Sequence, residues 1–137
     1  MVTIKDVAER AGVPVRMAAR EAGLPLIDYF LRPELECLNA VPTAEGCLEL
    51  LLRQRQRTIW ESDFLVLGYG RVGRAVARRL GLLGGRVTVA ARSAEQRANA
   101  RCAGCRAAPL TALPGLLPEF DAVINTIPAP VLPRKML

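Results

Sequence analysis

Apolar residues along this chain follow a helical period first and then alternate between strand-like and helix-like runs. Over 43–58 they recur at helical spacing, with Leu48, Leu51, Leu52 and the following Ile59 on one face. Thr43 is placed to cap this helix, Glu45 lies in its first turn, and Arg53, Arg55 and Arg57 fall in its last, where they complement the helix dipole and extend into solvent. From Asp63 the pattern changes. Residues 64–67 form a short, wholly apolar run expected to be a buried strand, and 71–83 a helix stopped by Gly84 and Gly85. Residues 86–91 read as a second strand carrying Val87 and Val89, and Ser93 caps a helix to about Ala103. A short strand at 106–108, a helical turn over 111–117 and a strand over 121–125 follow. Repeated strand-helix-strand units at this spacing predict an α/β fold, a parallel sheet with right-handed crossovers and strand order 3-2-1-4.

Upstream of Pro42 the pattern is broken. It offers helical stretches at 6–10 and, behind Pro14, at 15–22, a short apolar strand at 26–28 and a proline-interrupted segment to Asn39. Roughly 40 residues rarely bury enough surface to fold alone. The expected organisation is therefore a small α-rich remnant of an N-terminal domain over 1–42, a connecting helix over 43–60, and an α/β domain over 61–137. Four strands are fewer than the six of a complete doubly wound sheet, and Pro133 is placed to open another helix. The expectation is an incomplete second half: either a piece of a longer protein, or a subunit whose open sheet edge a partner covers.

Composition narrows the function classes. With 51% apolar and 23% charged residues in 137, the chain has the balance of one globular domain. No apolar run reaches the roughly 18 to 20 residues of a membrane span, and the first ten residues lack a signal-like apolar stretch, so a cytoplasmic protein is expected. The net charge is +6, and all basic residues except Lys5 and Lys135 are arginine. That excess suits an anionic ligand or a solvated arginine-rich surface, and position must decide between them. The chain has no histidine, which excludes an imidazole base or a histidine metal ligand from it. Of Cys37, Cys47, Cys102 and Cys105 only the last two form C-x-x-C, at a helix end, so no metal is expected and buried, reduced thiols are.

The most informative segment is 64–77, in which Gly68-Tyr69-Gly70-Arg71-Val72-Gly73 sets G-x-G-x-x-G between an apolar strand and a helix. Gly68 makes the tight turn, Gly70 lets the backbone approach a pyrophosphate, and Gly73 lets the helix sit close to the strand, with Ala77 extending its small face. The helix then offers its free N–H groups to the anion. This predicts a Rossmann-like nucleotide-binding domain over 61–137. The second strand ends Ala90-Ala91-Arg92-Ser93, without the Asp or Glu that commonly holds an NAD ribose. Arg92 and Ser93 instead suit the 2′-phosphate of NADP, the alternative being that Arg92 is one more surface arginine. The fourth strand leads into Asn125-Thr126-Ile127-Pro128-Ala129-Pro130, a proline-stiffened turn expected to face the nicotinamide half, or else an ordinary strand exit. The expected cofactor-binding set is thus Gly68, Tyr69, Gly70, Arg71, Val72 and Gly73, then Ala91, Arg92 and Ser93, then Asn125, Thr126, Ile127 and Pro128.

Four blocks carry a more particular pattern: Leu38-Asn39-Ala40-Val41-Pro42-Thr43-Ala44-Glu45-Gly46, Val66-Leu67-Gly68-Tyr69-Gly70-Arg71-Val72-Gly73, Val87-Thr88-Val89-Ala90-Ala91-Arg92, and Asn125-Thr126-Ile127-Pro128-Ala129. In these blocks, their order and their spacing, the stretch from about Leu26 to Leu137 resembles the family of the A-type subunits of dipicolinate synthase. The resemblance implies an NADP-dependent oxidation of a dihydrodipicolinate-type intermediate to dipicolinate during sporulation, in complex with a flavoprotein-like B-type subunit. It also implies a fuller N-terminal domain and a C-terminal continuation of the sheet than this chain carries. Within it, Thr43 and Glu45 stand where a helix N-terminus could receive a dicarboxylate, or form an ordinary capped first turn. No catalytic residue is assigned, and a homo-oligomer remains open. The other readings are a non-catalytic NADP- or partner-binding module and a dehydrogenase of hydroxyacid or shikimate type.

A shorter resemblance lies at 2–13, where Val2-Thr3-Ile4-Lys5-Asp6-Val7-Ala8-Glu9-Arg10-Ala11-Gly12-Val13 is similar to the first helix and turn of the Lac-repressor-type helix-turn-helix. A DNA reader places polar side chains at the start of its second helix. Here 14–19 offers only Arg16, and a strand is expected in place of a third helix, so nucleic acid is not an expected partner.

Overall fold

The computed structural model describes residues 15–25, 32–129 and 131–132. The expected helix at 6–10, strand at 26–28 and helix opened by Pro133 lie outside them, as does the helix-turn-helix resemblance at 2–13. The chain divides into two units, Met1–Leu35 and Glu36–Leu137. In the first, helix α1 (Val15–Glu21) closes with Gly23 at φ +63 and the Leu24 N–H donating to Ala19 O at 2.9 Å, a left-handed glycine stop.

The second unit is built on four parallel strands, β1 (Asp63–Leu67), β2 (Arg86–Ala91), β3 (Arg106–Pro109) and β4 (Ala122–Asn125), in the order β3-β2-β1-β4. The expected fold class and strand order are thus observed. Strand β1 lies between β2 and β4, which is why Phe64, Leu65, Val66 and Leu67 are all fully buried rather than alternating with polar residues. Their side chains still alternate between faces. Phe64 and Val66 meet Val87, Val89 and Ala91 on one side, against helices α2 (Pro33–Gln54), α3 (Arg71–Leu82) and α4 (Ala94–Cys102). Leu65 and Leu67 meet Ala90 on the other, covered by Leu110 and by Leu113 of the short helix α5 (Leu113–Leu116) with its flanking 3-10 turns. Among the described residues no helix is long and apolar enough to cross a membrane.

Helix α2 corrects the expected 43–58 helix at both ends. It starts at Pro33 and passes through Pro42, so Thr43 is not a cap; its Oγ1 donates to Asn39 O at 2.7 Å, one turn back. A proline inside a helix costs about 3 kcal/mol by removing an N–H and crowding a carbonyl. Burial of Ala44 and the packing of the half-buried Cys47, Leu48 and Leu51 against the core oppose that cost. The buried stripe runs through Ala40 and Ala44, small residues that a search for large apolar side chains passes over, and Leu52 is exposed. The helix ends at Gln54, and Arg55 does not extend into solvent: its guanidinium lies 5.4 Å from the centre of the Phe64 ring and 3.6 Å from Asp121.

The amino ends of the strands are held by charge. Asp63 accepts from Arg86 Nε at 2.9 Å and from Arg106 at 3.0 Å, while Asp121 accepts the Asp63 N–H at 2.9 Å and pairs with Arg57 at 2.8 Å. One carboxylate thereby joins β1, β2 and β3, and the second fixes the entry to β4. The hydrogen bond from Arg86, reinforced by the charges of Arg86 and Arg106 against partial desolvation, holds the Asp63 carboxyl below its ordinary range. A depressed folded pKa means that the ionised form is the stabilised one. Its contribution is complete above the ordinary aspartate value of 3.8 and is lost as pH falls through the lower folded value. Thermal melts of the chain and of Asp63→Asn should therefore differ by a constant amount between about pH 5 and 7, with the difference starting to shrink as pH falls below about 3.8 and continuing to do so through the lower folded value. A difference that persists unchanged under strong acid would contradict the assignment.

Candidate functional site

At the carboxyl ends of the strands, three glycines do three separate things. Gly68 adopts φ +87, a left-handed conformation, and a side chain there would press on Ile127 Cγ1 at 2.9 Å and Thr126 Oγ1 at 3.0 Å. Gly73, in the first turn of α3, faces the Gly68 carbonyl so closely that a Cβ would overlap it, and would also meet Thr126 Oγ1 at 3.0 Å. Gly70 has open space where its Cβ would be. The first two glycines seat the helix on the turn, and the third leaves a surface that another molecule can approach.

Helix α3 begins there without a side-chain cap or an acidic residue in its first turn. The Arg74 N–H is bonded to Gly70 O at 2.9 Å, and the N–H groups of residues 71–73 precede the first intrahelical partner. A helix end of this kind attracts an anion through the free N–H groups and the dipole together. Thr126 ties β4 to the turn: its N–H and Oγ1 both donate to Leu67 O, at 3.0 and 2.7 Å. Asn125 Oδ1 accepts the Ile127 N–H at 2.9 Å, which shapes the exit from β4.

A cleft of about 520 Å³ opens over this turn, a size ordinary for a small-molecule site. It brings together eight of the expected cofactor-binding residues: Gly68, Tyr69, Gly70, Arg92, Ser93, Thr126, Ile127 and Pro128. Arg92 is exposed at the end of β2, and Ser93 caps α4 by accepting the Gln96 N–H at 3.4 Å.

The remaining expected residues lie around the cleft rather than in its lining. Arg71 forms an ion pair with Glu36 at 2.6 Å, Val72 packs against the core, Gly73 and Ala91 are buried, and Asn125 is engaged in its own turn. Tyr69 borders the cleft but is itself buried. Its ring is 5% exposed in the core, with the Arg74 guanidinium 5.5 Å from its centre, and burial pushes the phenol pKa up.

Thr43 and Glu45 are corrected. The helix N-terminus that was to receive a dicarboxylate is not there, because α2 begins ten residues earlier; Thr43 bonds within the helix and Glu45 lies 3.6 Å from Arg79. Neither lines the cleft. The cysteines also differ from expectation: Cys102 is exposed, while Cys105 is half-buried and its thiol pKa is raised by burial.

Sequence reasoning missed Gln96, Leu110 and Val131 in the lining, and its expected set stopped one residue short of Ala129. Gln96 stands three residues after the Ser93 cap, one helical turn on, and Leu110 follows the last residue of β3. Applying the strand-end rule to the third strand as well as to the first, second and fourth would have found Leu110.

Residues 47–137 match the family described as D-isomer specific 2-hydroxyacid dehydrogenase, NAD binding domain. The chain is 34% identical over 119 residues to the A-type subunit of dipicolinate synthase of Bacillus subtilis (strain 168), covering 87% of this chain and 40% of that protein. Among solved structures it superimposes on the same dipicolinate synthase subunit from Bacillus subtilis with a TM-score of 0.82, at 32% identity over 90% of this chain and 41% of the other. For its counterpart from Bacillus halodurans the TM-score is also 0.82, at 27% identity over 96% and 48%. The resemblance read from the four sequence blocks is therefore shown, and the chain spans less than half the length of these relatives.

The glycines give a paired prediction. Gly73→Ala forces the helix off the turn and should cost about 1 to 3 kcal/mol in denaturant unfolding, the range for overpacking a closed site. Gly70→Ala, which meets nothing but replaces the N-cap of α3, should cost less, about 0.5 to 1 kcal/mol. Equal losses would show that the two positions do not differ as the geometry requires.

Proposed function

The chain belongs to the D-isomer specific 2-hydroxyacid dehydrogenase NAD-binding domain family, and on that footing we propose that its cleft binds NADP in the service of a dehydrogenase. The observation that carries this reading is the meeting of Gly68, Gly70 and the head of α3 with Arg92 and Ser93 in one cleft. The residues fit the cofactor. The open Cβ position at Gly70 gives a diphosphate room beside the free N–H groups of α3, and among the described residues no acidic side chain lines the cleft beside Arg92 to repel an additional phosphate. Arg92 and Ser93 would hold the 2′-phosphate, with Gln96 and Leu110 beside the adenosine half. Thr126, Ile127 and Pro128 would support the nicotinamide half.

The bound nicotinamide supplies the hydride-accepting chemistry. This chain's residues bind and orient it: the α3 N–H groups set the diphosphate, and the Asn125–Ile127 turn, held to Leu67 O through Thr126, sets the wall beyond β4.

The relatives are named as dipicolinate synthase subunits of the A type. We extend the proposal on that basis to a cytoplasmic oxidoreductase subunit that takes a dihydrodipicolinate-type dicarboxylate to dipicolinate in sporulation, together with a flavoprotein-like second subunit. In this reading 61–137 is the nucleotide-binding part and the residues before it belong to a connector and a substrate-side part.

Calorimetric titration tests the cofactor. NADP should bind more tightly than NAD, and Arg92→Ala should weaken NADP about tenfold or more while leaving NAD nearly unchanged, as expected for loss of a charge-assisted hydrogen bond. Equal affinity for the two dinucleotides would overturn the NADP reading. Absence of binding by either would overturn the nucleotide site itself.

A further inference from the structure

The turn between β2 and α4 contains a second arginine, and its side chain is directed at the backbone rather than at the cleft. Arg97, half-buried in α4, uses one nitrogen, Nη1, to donate to Ala91 O at 2.8 Å and to Arg92 O at 2.7 Å. Its backbone N–H also donates to Ser93 O at 3.2 Å. The two carbonyls that Nη1 holds belong to the peptide planes on either side of the Arg92 Cα. Those planes define φ and ψ of Arg92, so fixing both sets the direction in which its side chain leaves the backbone.

The charge of Arg97 acts in the same sense. Two carbonyl oxygens at the end of a parallel strand carry partial negative charge beside the place proposed for a phosphate. Left unpaired, they would oppose an anion; bonded to a guanidinium, they are satisfied and the loop gains a positive charge. A hydrophobic or neutral residue at position 97 cannot do both.

We infer that Arg97 is a positioning residue for cofactor preference: by clamping the Ala91 and Arg92 carbonyls it aims Arg92 at the 2′-phosphate and removes the negative potential that phosphate would meet. The inference rests on the NADP reading above and goes beyond it, since Arg97 does not itself line the cleft and acts only through the backbone of residues that do.

The test compares NADP and NAD affinities by calorimetry for the full chain and for Arg97→Met, Arg97→Gln and Arg97→Lys, with melting temperatures as the check on folding. Arg97→Met should lower the NADP-to-NAD affinity ratio about three- to tenfold, the size of a moderate hydrogen-bond effect, with NAD affinity unchanged. Arg97→Gln, which keeps a donor but not the charge, should fall between. Arg97→Lys, which keeps charge and donors, should restore most of the ratio. A merely structural arginine would shift both dinucleotides together and leave the ratio alone, and that result, or an unchanged ratio in Arg97→Met, overturns the inference. If Arg97→Met melts too low to titrate, Arg97→Gln and Arg97→Lys decide: equal ratios in the two would refute it. A wild-type chain with no preference for NADP would instead bring down the cofactor reading and this inference with it, which separates that failure from failure of the clamp alone.

Discussion

The contact on which the site depends is the one between the first turn of α3 and the carbonyl of Gly68. Gly73 has no side chain, so the helix settles directly on the turn, and Thr126 Oγ1 fills the space that remains while bonding to Leu67 O. Helix, turn and the exit of β4 are thereby fixed with respect to one another by groups that have almost no conformational freedom. Side-chain flexibility would blur such a site, because each rotatable bond ordered on binding costs free energy. A backbone-built cradle has already met that cost in folding. The same economy explains why Tyr69, in the middle of the motif, sends its ring into the core: the turn needs the backbone of residue 69, and burying the side chain anchors it.

The arginines at the two ends of the strands divide by role. At the amino ends of the strands, Arg55, Arg57, Arg86 and Arg106 gather around Asp63 and Asp121. There each guanidinium has a carboxylate partner, four arginines sharing two aspartates, and the charge works as structure. At the carboxyl ends the cleft has Arg92 and, among the described residues, no acidic side chain in its lining. The two ends of the sheet therefore use arginine differently: paired with carboxylates at one end, without an acidic partner in the cleft lining at the other, where the head of α3 adds its own partial positive charge. Net charge alone could not distinguish these two populations.

The α/β part of the fold was readable because its signals are local. A fully apolar run at 64–67, a glycine triplet after it and a Ser cap at 93 each act over a few residues, and each element was found within one or two residues of its place. Helix α2 was misread because two of its signals point away from the result. Pro42 reads as a boundary and Thr43 as a cap, yet contacts made far along the chain keep the helix intact through both. The apolar stripe was also misjudged, since Ala40 and Ala44 are buried by close approach and Leu52 is not. The motif located the cleft, but it did not say which atoms of each residue face it: Arg71, Val72 and Asn125 belong to the same segments as the lining residues and point elsewhere.

The composition of the cleft also divides the chemical work. Arg92 is the one charged side chain in the described lining, and the phenol of Tyr69 is turned into the core, so the lining offers no carboxylate, thiol or imidazole. A lining of glycines, hydroxyls, an amide and small apolar residues can hold and orient a dinucleotide, but it does not exchange protons with a substrate. Oxidation by a nicotinamide removes a hydride from one atom and a proton from another. The hydride acceptor is a property of the bound cofactor, whereas the proton must pass to water or to a group that approaches from outside this lining. That division follows from the parallel sheet itself. The carboxyl ends of the strands present glycines, hydroxyls and small apolar residues to the cleft, which favours grip over acid–base chemistry, and a group that handles the proton would approach from beyond this lining.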